Sequence, residues 1–250
     1  REIEVEKEYN GPRLEEKEEV TAEWVVKLME HFKEQKALHK RYTLQIIEKC
    51  KDYLTTYDSL VSYKIDEKEE ITICGDIHGQ YYDLYNIFKL NGFPAINNKY
   101  LFNGDFVDRG SFSVECMLTL IAWKSANIDF LHMTRGNHEA KQVNHIYGFK
   151  GEVEAKYKDP GVYEAFSELF CALPLAYVFN KKVMVCHGGL PSQDEMGIKE
   201  IRDTFRFLEP PEKGLMCDLL WADPTPQKGR SPSKRGASMG FGPDVTKRFL

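Results

Sequence analysis

The sequence predicts a layered α/β fold. Three observations predict it. Short β-prone runs recur between stretches of helical spacing, each run ends in glycine and metal-capable polar residues, and 250 residues suffice for one sizeable core.

Taken in order, residues 1–20 are charge-rich and carry Tyr9, Asn10, Gly11 and Pro12 as turn formers. They read as a linker-like lead-in. Residues 21–250 read as one domain. From Thr21 to about Val61 the spacing is helical: Trp24, Val25, Leu28, Met29 and Phe32 recur three and four apart, as do Leu44, Ile47, Cys50 and Leu54. Thr21 suits a helix start. These apolar faces are expected to pack on the flank of the domain.

From Glu70 the period changes. Ile71–Cys74, Tyr100–Phe102, Phe130–Met133 and Val183–Cys186 are short β-prone runs. Helical stretches at Leu84–Leu90 and Val114–Trp123 separate the first three, and Tyr163–Leu173 precedes the fourth. Residues 222–236 are rich in Pro, Gly, Ser and Lys and read as a loop.

Composition excludes several classes. The net charge of -5 argues against general affinity for nucleic acid, which wants a basic face. No apolar run reaches the length of a membrane span, and the N-terminus has no stretch resembling a secretory signal. The six cysteines are scattered with no C-x-x-C pair, so neither a disulfide framework nor a zinc finger is expected.

The strand ends carry the chemistry. The first run leads into Gly75-Asp76-Ile77-His78-Gly79 and the second into Gly104-Asp105-Phe106-Val107-Asp108-Arg109-Gly110. The third leads into Arg135-Gly136-Asn137-His138-Glu139 and the fourth into His187-Gly188-Gly189. Carboxyl ends of strands in such sheets face a common crevice, so Asp76, His78, Asp105, Asn137 and His187 are expected to converge. Carboxylate, amide and imidazole donors suit manganese, iron or zinc without thiolate. Asp105 is placed to bridge two cations, and a pair about 3.5–4 Å apart can activate water against a phosphate. His138 is a candidate general acid, with Asp108 behind it to orient the ring. Arg109 offers a planar fork for phosphate oxygens. A lone Gly-Asp turn would be a weak signal. Gaps of 24 residues from Gly79 to Gly104 and 25 from Gly110 to Gly136 each hold one helix and a return strand, and packing alone does not produce that series.

Those four segments, in that order, resemble the metal-dependent serine/threonine phosphoprotein phosphatase family (PPP). Leu219-Leu220-Trp221-Ala222-Asp223-Pro224 and Lys234-Arg235-Gly236 also look like family segments. The type-five branch is the nearest in pattern, through Ile146-Tyr147-Gly148-Phe149-Lys150-Gly151-Glu152-Val153 and the lead-in Glu8–Leu14. Ile77 departs from that branch, which usually has threonine there. The resemblance implies a central β-sandwich flanked by helices, the four-layered calcineurin-like fold. It implies two divalent metal ions (manganese, iron or zinc, with manganese or magnesium serving in vitro). Asp76, His78 and Asp105 would hold one, and Asp105, Asn137 and His187 the other. Arg109, Asn137 and Arg235 would contact phosphate, and His138 with Asp108 would protonate the leaving oxygen. Arg135 is expected to be structural, paired with an acidic neighbour.

The implied activity is hydrolysis of phosphoserine and phosphothreonine in proteins by a hydroxide held between the metals. Two alternatives stand beside it: a truncated phosphoprotein-binding fragment with little turnover, and a metallophosphoesterase acting on diesters. The resemblance places a further metal histidine, an active-site tyrosine and the last sheet strands beyond Leu250, so the domain is expected to be truncated. It also places tetratricopeptide repeats outside this chain, so chaperone binding is expected only through absent repeats. Phosphoprotein substrates, no nucleic acid, no membrane, and a cytoplasmic and nuclear setting complete the expectation.

Overall fold

The computed structural model describes residues 3–15 and 18–250. The lead-in reading at positions 1–2 and 16–17 lies outside the described residues. The chain begins with α1 (Ala22–Lys33), α2 (Lys40–Thr55), β1 (Leu60–Tyr63), β2 (Glu70–Cys74), α3 (Tyr81–Asn91), β3 (Asn98–Asn103), α4 (Ser113–Ala126) and β4 (Leu131–Thr134). It continues with α5 (Lys141–Tyr147), α6 (Phe149–Tyr157), α7 (Pro160–Ala172), β5 (Ala176–Phe179), β6 (Val183–Cys186), α8 (Ile198–Asp203) and α9 (Leu215–Trp221). It closes with β7 (Asp223–Pro224), β8 (Arg230–Pro232), β9 (Met239–Phe241) and α10 (Pro243–Phe249).

Local chemistry explains the main helices. The Thr21 hydroxyl accepts from the Trp24 N–H at 3.2 Å and caps α1. Trp24, Val25, Leu28, Met29 and Phe32 form its buried face. The Trp24 indole N–H donates to the Arg13 carbonyl at 2.7 Å, and Leu14 and Val20 are buried. The lead-in is therefore irregular but packed down, more so than a linker. At α7, Asp159 caps and Pro160 takes the first position, where its missing N–H costs nothing. Helix α4 is buried nearly all round, and the Glu152 carboxylate accepts from its first N–H groups, Ser113 at 3.0 Å and Val114 at 2.8 Å.

Among the described residues the strands form three sheets: β1-β5-β6, β2-β3-β4 and β7-β9-β8. The second is all parallel, whereas β5 and β6 pair antiparallel. Side-chain alternation sorts the layers. Tyr100 and Phe102 of β3 join Leu131, Met133 and the apolar faces of α1, α2, α4 and α7. Leu101, between them in sequence, faces the other way and meets Tyr177 and Phe179 of β5. Ala176 joins Leu60, Ile201, Met216 and Leu219, with Val178 and Met184 against them, under α8 and α9. Helices, sheet, sheet and helices thus make four layers, as expected.

His132 lies between the two sheets, 2% exposed, against Tyr63 and Tyr177 with ring centroids 4.5 and 5.2 Å away. Burial, aided by the charges of Lys124 and Lys99, pushes it down to about 3.

Several sequence expectations need correction. The helical reading to Val61 overruns: the helix ends at Thr55, and Leu60 and Val61 belong to β1. Strand β5 and helices α5 and α6 were not foreseen. The 222–236 loop holds β7 and β8, short strands that pair with β9. All six cysteines are unbridged. No helix among the described residues is long and apolar enough to cross a membrane.

Candidate metal centre

Parallel register brings the first three turns side by side. Cys74 lies opposite Phe102, and Asn103 opposite Thr134. The next residues along each strand are the predicted ligands. Strand β6 supplies His187 from the other sheet. The turns are tight. A Cβ on Gly136 would sit 2.3 Å from the Asp105 backbone nitrogen, so only glycine admits that approach. His78, Asp105, Asp108 and Arg109 adopt positive φ values of 44°, 53°, 74° and 66°. Four non-glycine residues in the left-handed region of two adjoining loops are local strain held by their surroundings.

The structure brings Asp76, His78, Asp105, Asn137 and His187 to one centre. Asp105 Oδ2 lies 3.5 Å from His78 Nε2 and 3.3 Å from His187 Nε2. Asp76 Oδ2 is 3.7 Å from His78 Nε2, and Asn137 Oδ1 is 2.9 Å from His187 Nε2. His138 Nε2 faces Asp105 Oδ2 at 4.0 Å, and its Nδ1 donates to Asp108 Oδ2 at 2.6 Å. Asp108 also accepts from the Phe149 N–H at 2.9 Å.

The donor set fits cations. A carbonyl oxygen can only accept, so His78 Nδ1, 2.8 Å from the Val107 oxygen, carries the proton, and so does His187 Nδ1, 2.7 Å from the Asn103 oxygen. Each ring thus presents Nε2 to the centre, with a partner fixing its plane. Two groups of ligand-capable side chains share Asp105: His78, Asp105 and His138, and Asp76, Asp105 and His187. Two such groups sharing one carboxylate are what a binuclear metal centre requires. Asp76 stands between the two groups, Oδ2 3.7 Å from His78 Nε2 and Oδ1 4.0 Å from His187 Nδ1, and His138 shares the Asp105 side with His78.

Electrostatics follow from that crowding. Burial opposes charging of His187, but the Asp105 carboxylate and the Asn103 carbonyl outweigh it and push the imidazole up to about 9. Burial likewise opposes ionisation of Asp105, yet His187 and the His138 N–H hold its carboxyl below the usual range.

The arginines differ. Arg109 is exposed, its main-chain N–H donating to the Tyr147 carbonyl at 3.2 Å. Arg235 is also exposed and is clamped by Asp223, Nε to Oδ2 at 2.6 Å and Nη2 to Oδ1 at 3.1 Å, within the field of Asp105 and Asp76. Arg135 is fully buried, donating to the Glu139 and Leu208 carbonyls at 2.9 and 2.8 Å, with Glu209 at 3.9 Å.

Sequence reasoning missed two supports. The Glu139 carboxylate accepts from the N–H groups of Asp105, Phe106 and Gly136 at 2.8, 2.8 and 2.9 Å, tying two ligand loops together. Burial, with the neighbouring Asp105 charge, pushes it up to about 7. Its position next to His138 was the available signal. Asp223 belongs to the Leu219–Pro224 segment, but no local pattern links it to Arg235.

A four-layered fold with a carboxylate-bridged ligand cluster at its strand ends defines a metallophosphoesterase. The chain belongs to the calcineurin-like phosphoesterase family, whose profile matches residues 70–250, and within it to the PPP phosphatases. It is 55% identical over 249 residues to serine/threonine-protein phosphatase 5 of Solanum lycopersicum, spanning 100% of this chain and 44% of that protein. The Homo sapiens serine/threonine-protein phosphatase 5 is 54% identical over 98% of this chain and 49% of its own length. A solved Saccharomyces cerevisiae protein serine/threonine phosphatase, described as similar to human phosphatase PP5, superposes with a TM-score of 0.89 at 39% identity, over 92% of this chain and 73% of that one. The chain thus spans about half the length of the curated relatives it matches. A second profile, described as the PPP5 TPR repeat region, matches residues 1–62. This corrects the expectation that repeat sequence is absent. The stretch read as lead-in and flank helices, including α1 and α2, falls within that match.

Proposed function

We propose that this chain carries the catalytic centre of a serine/threonine protein phosphatase, a phosphoric monoester hydrolase. The observation that carries the reading is the His138–Asp108 pair at 2.6 Å, set against a ligand cluster centred on Asp105. Asp76, His78, Asp105, Asn137 and His187 would hold two divalent cations. Those cations, when bound, supply an activated water and neutralise charge on the phosphate.

The chain's own groups do the rest. Arg109, which follows Asp108 in the chain, and Arg235 would orient the equatorial oxygens, Arg235 with its fork preset by Asp223. Asp108 accepts from Nδ1 and so fixes the ring of His138 with Nε2 toward the centre. Nε2 then gives its proton to the leaving serine or threonine oxygen, and Asp108 stabilises the charged ring before that transfer. Direct hydrolysis needs no side-chain nucleophile, and every cysteine in the chain lies outside this constellation.

The test is manganese titration of the purified chain followed by turnover on a phosphoserine peptide, a phosphotyrosine peptide and an aryl diester. Two equivalents of metal and preference for the phosphoserine peptide are expected. One equivalent without turnover, or preference for the diester, overturns the proposal.

A further inference from the structure

The candidate ligands reach the centre from two different sheets. Asp76, Asp105 and Asn137 follow strands β2, β3 and β4, whereas His187 alone follows a strand of β1-β5-β6. The sheets face each other through Leu101, Tyr177 and Phe179, with Val61, Ile71 and Val185 packed against them. Apolar contact of that kind is non-directional. It holds the sheets together but does not by itself set where His187 stands relative to Asp105.

Lys99 Nζ bridges the sheets away from the centre, donating to the Tyr63 hydroxyl at 2.7 Å, whereas beside His187 it is Asn103 that crosses the boundary with directional bonds. The Asn103 main-chain oxygen accepts from His187 Nδ1 at 2.7 Å. Its side-chain Nδ2 donates to the Cys186 carbonyl at 2.9 Å, on the residue before His187. Its Oδ1 accepts from the fully buried Thr134 hydroxyl at 2.8 Å. The Cys186 carbonyl, which can only accept, orients the amide, since a reversed amide would set two oxygens against each other, and the Thr134 hydroxyl then completes the pair by donating to Oδ1. A single side chain at the end of β3 thus ties the ends of β4 and β6.

We propose that Asn103 is a positioning residue: an inter-sheet latch, anchored by Thr134, that sets the distance from His187 to Asp105 and so the affinity of the His187 half of the centre for a divalent cation. This rests on the binuclear reading above and adds to it a residue that touches neither metal nor substrate.

The experiment is stepwise manganese titration by calorimetry on the parent chain, Asn103→Leu and Thr134→Val, with unfolding followed in the presence of chelator. The parent should bind two ions. Asn103→Leu keeps the side-chain size and the main-chain bond to His187 but removes both side-chain bonds, to Cys186 and from Thr134. It should weaken one binding step about tenfold or more and leave the other unchanged, the range that lost outer-shell bonds produce. Thr134→Val should shift the same step, by less, and serves alone should Asn103→Leu fail to fold. A general loss of structure would instead weaken both steps and lower the unfolding midpoint in chelator. Equal loss at both steps, or two unchanged steps in the variants, overturns the latch while leaving the binuclear reading intact. A parent chain that takes up no manganese overturns both.

Discussion

Asp108 Oδ2 stands 2.6 Å from His138 Nδ1, and both residues are buried. The carboxylate has a second anchor in the Phe149 N–H, 2.9 Å from Oδ1, so the pair is fixed from the α6 side as well. His138→Ala should therefore leave metal uptake intact while turnover falls about 10²–10⁴-fold. Asp108→Asn should lose activity in the same direction, because an amide can present a donor to Nδ1 and favour the wrong tautomer. Metal analysis alongside steady-state kinetics checks both. Loss of metal in His138→Ala would count it as a ligand instead.

Metal uptake should release protons. His187, pushed up to about 9, is protonated at neutral pH, and its Nε2 is the atom a cation needs. Below pH 9 the cation competes with that proton, so affinity should rise by about tenfold per pH unit for each proton displaced, and level off above. Calorimetry in buffers of different ionisation enthalpy measures the count. An affinity flat from pH 6 to 8 would contradict this.

His132 should make the fold acid-sensitive. Its ordinary value is 6.5, and the fold pushes it to about 3. Between those values the unfolded chain binds a proton that the folded chain refuses, so stability falls as pH falls through that window. Above it the contribution is complete. The limiting slope for one group is about 1.4 kcal/mol per pH unit. His132→Phe should flatten the dependence between pH 6 and 4, measurable by denaturant titration.

Gly136→Ala should damage the centre more than any surface change. Its new methyl would meet the Asp105 backbone nitrogen and side-chain oxygen at 2.3 Å and the Glu139 carboxylate at 2.7 Å. Overpacking of this kind costs about 1–3 kcal/mol. Because the displaced atoms belong to the bridging carboxylate, manganese affinity should fall along with the unfolding temperature.

Much of this was legible beforehand because strand-end turns are local. Gly-Asp and Gly-Asn turns announce themselves within five residues, and the parallel register does the rest. What was not legible depended on partners distant in sequence. Four residues separate Leu60–Tyr63 from the helix before it, and pairing with Ala176–Phe179 makes it a strand. Lys141–Tyr157 breaks into two short helices at Gly148, with φ 126°, leaving too few turns for a clear apolar period. Asp223 meets Arg235 across a loop. The repeat-region match at residues 1–62 escaped because a charge-rich segment with one packed indole looks like a linker until its contacts are seen.

The positive φ angles at His78, Asp105, Asp108 and Arg109 bear on how this protein can be engineered. Each position would be more comfortable as glycine, by roughly 1 kcal/mol where no other contact intervenes. A campaign selecting only for heat resistance would be drawn to these four sites and would disarm the molecule as it hardened it. Thermal selection on this scaffold therefore has to be paired with an activity screen from the first round.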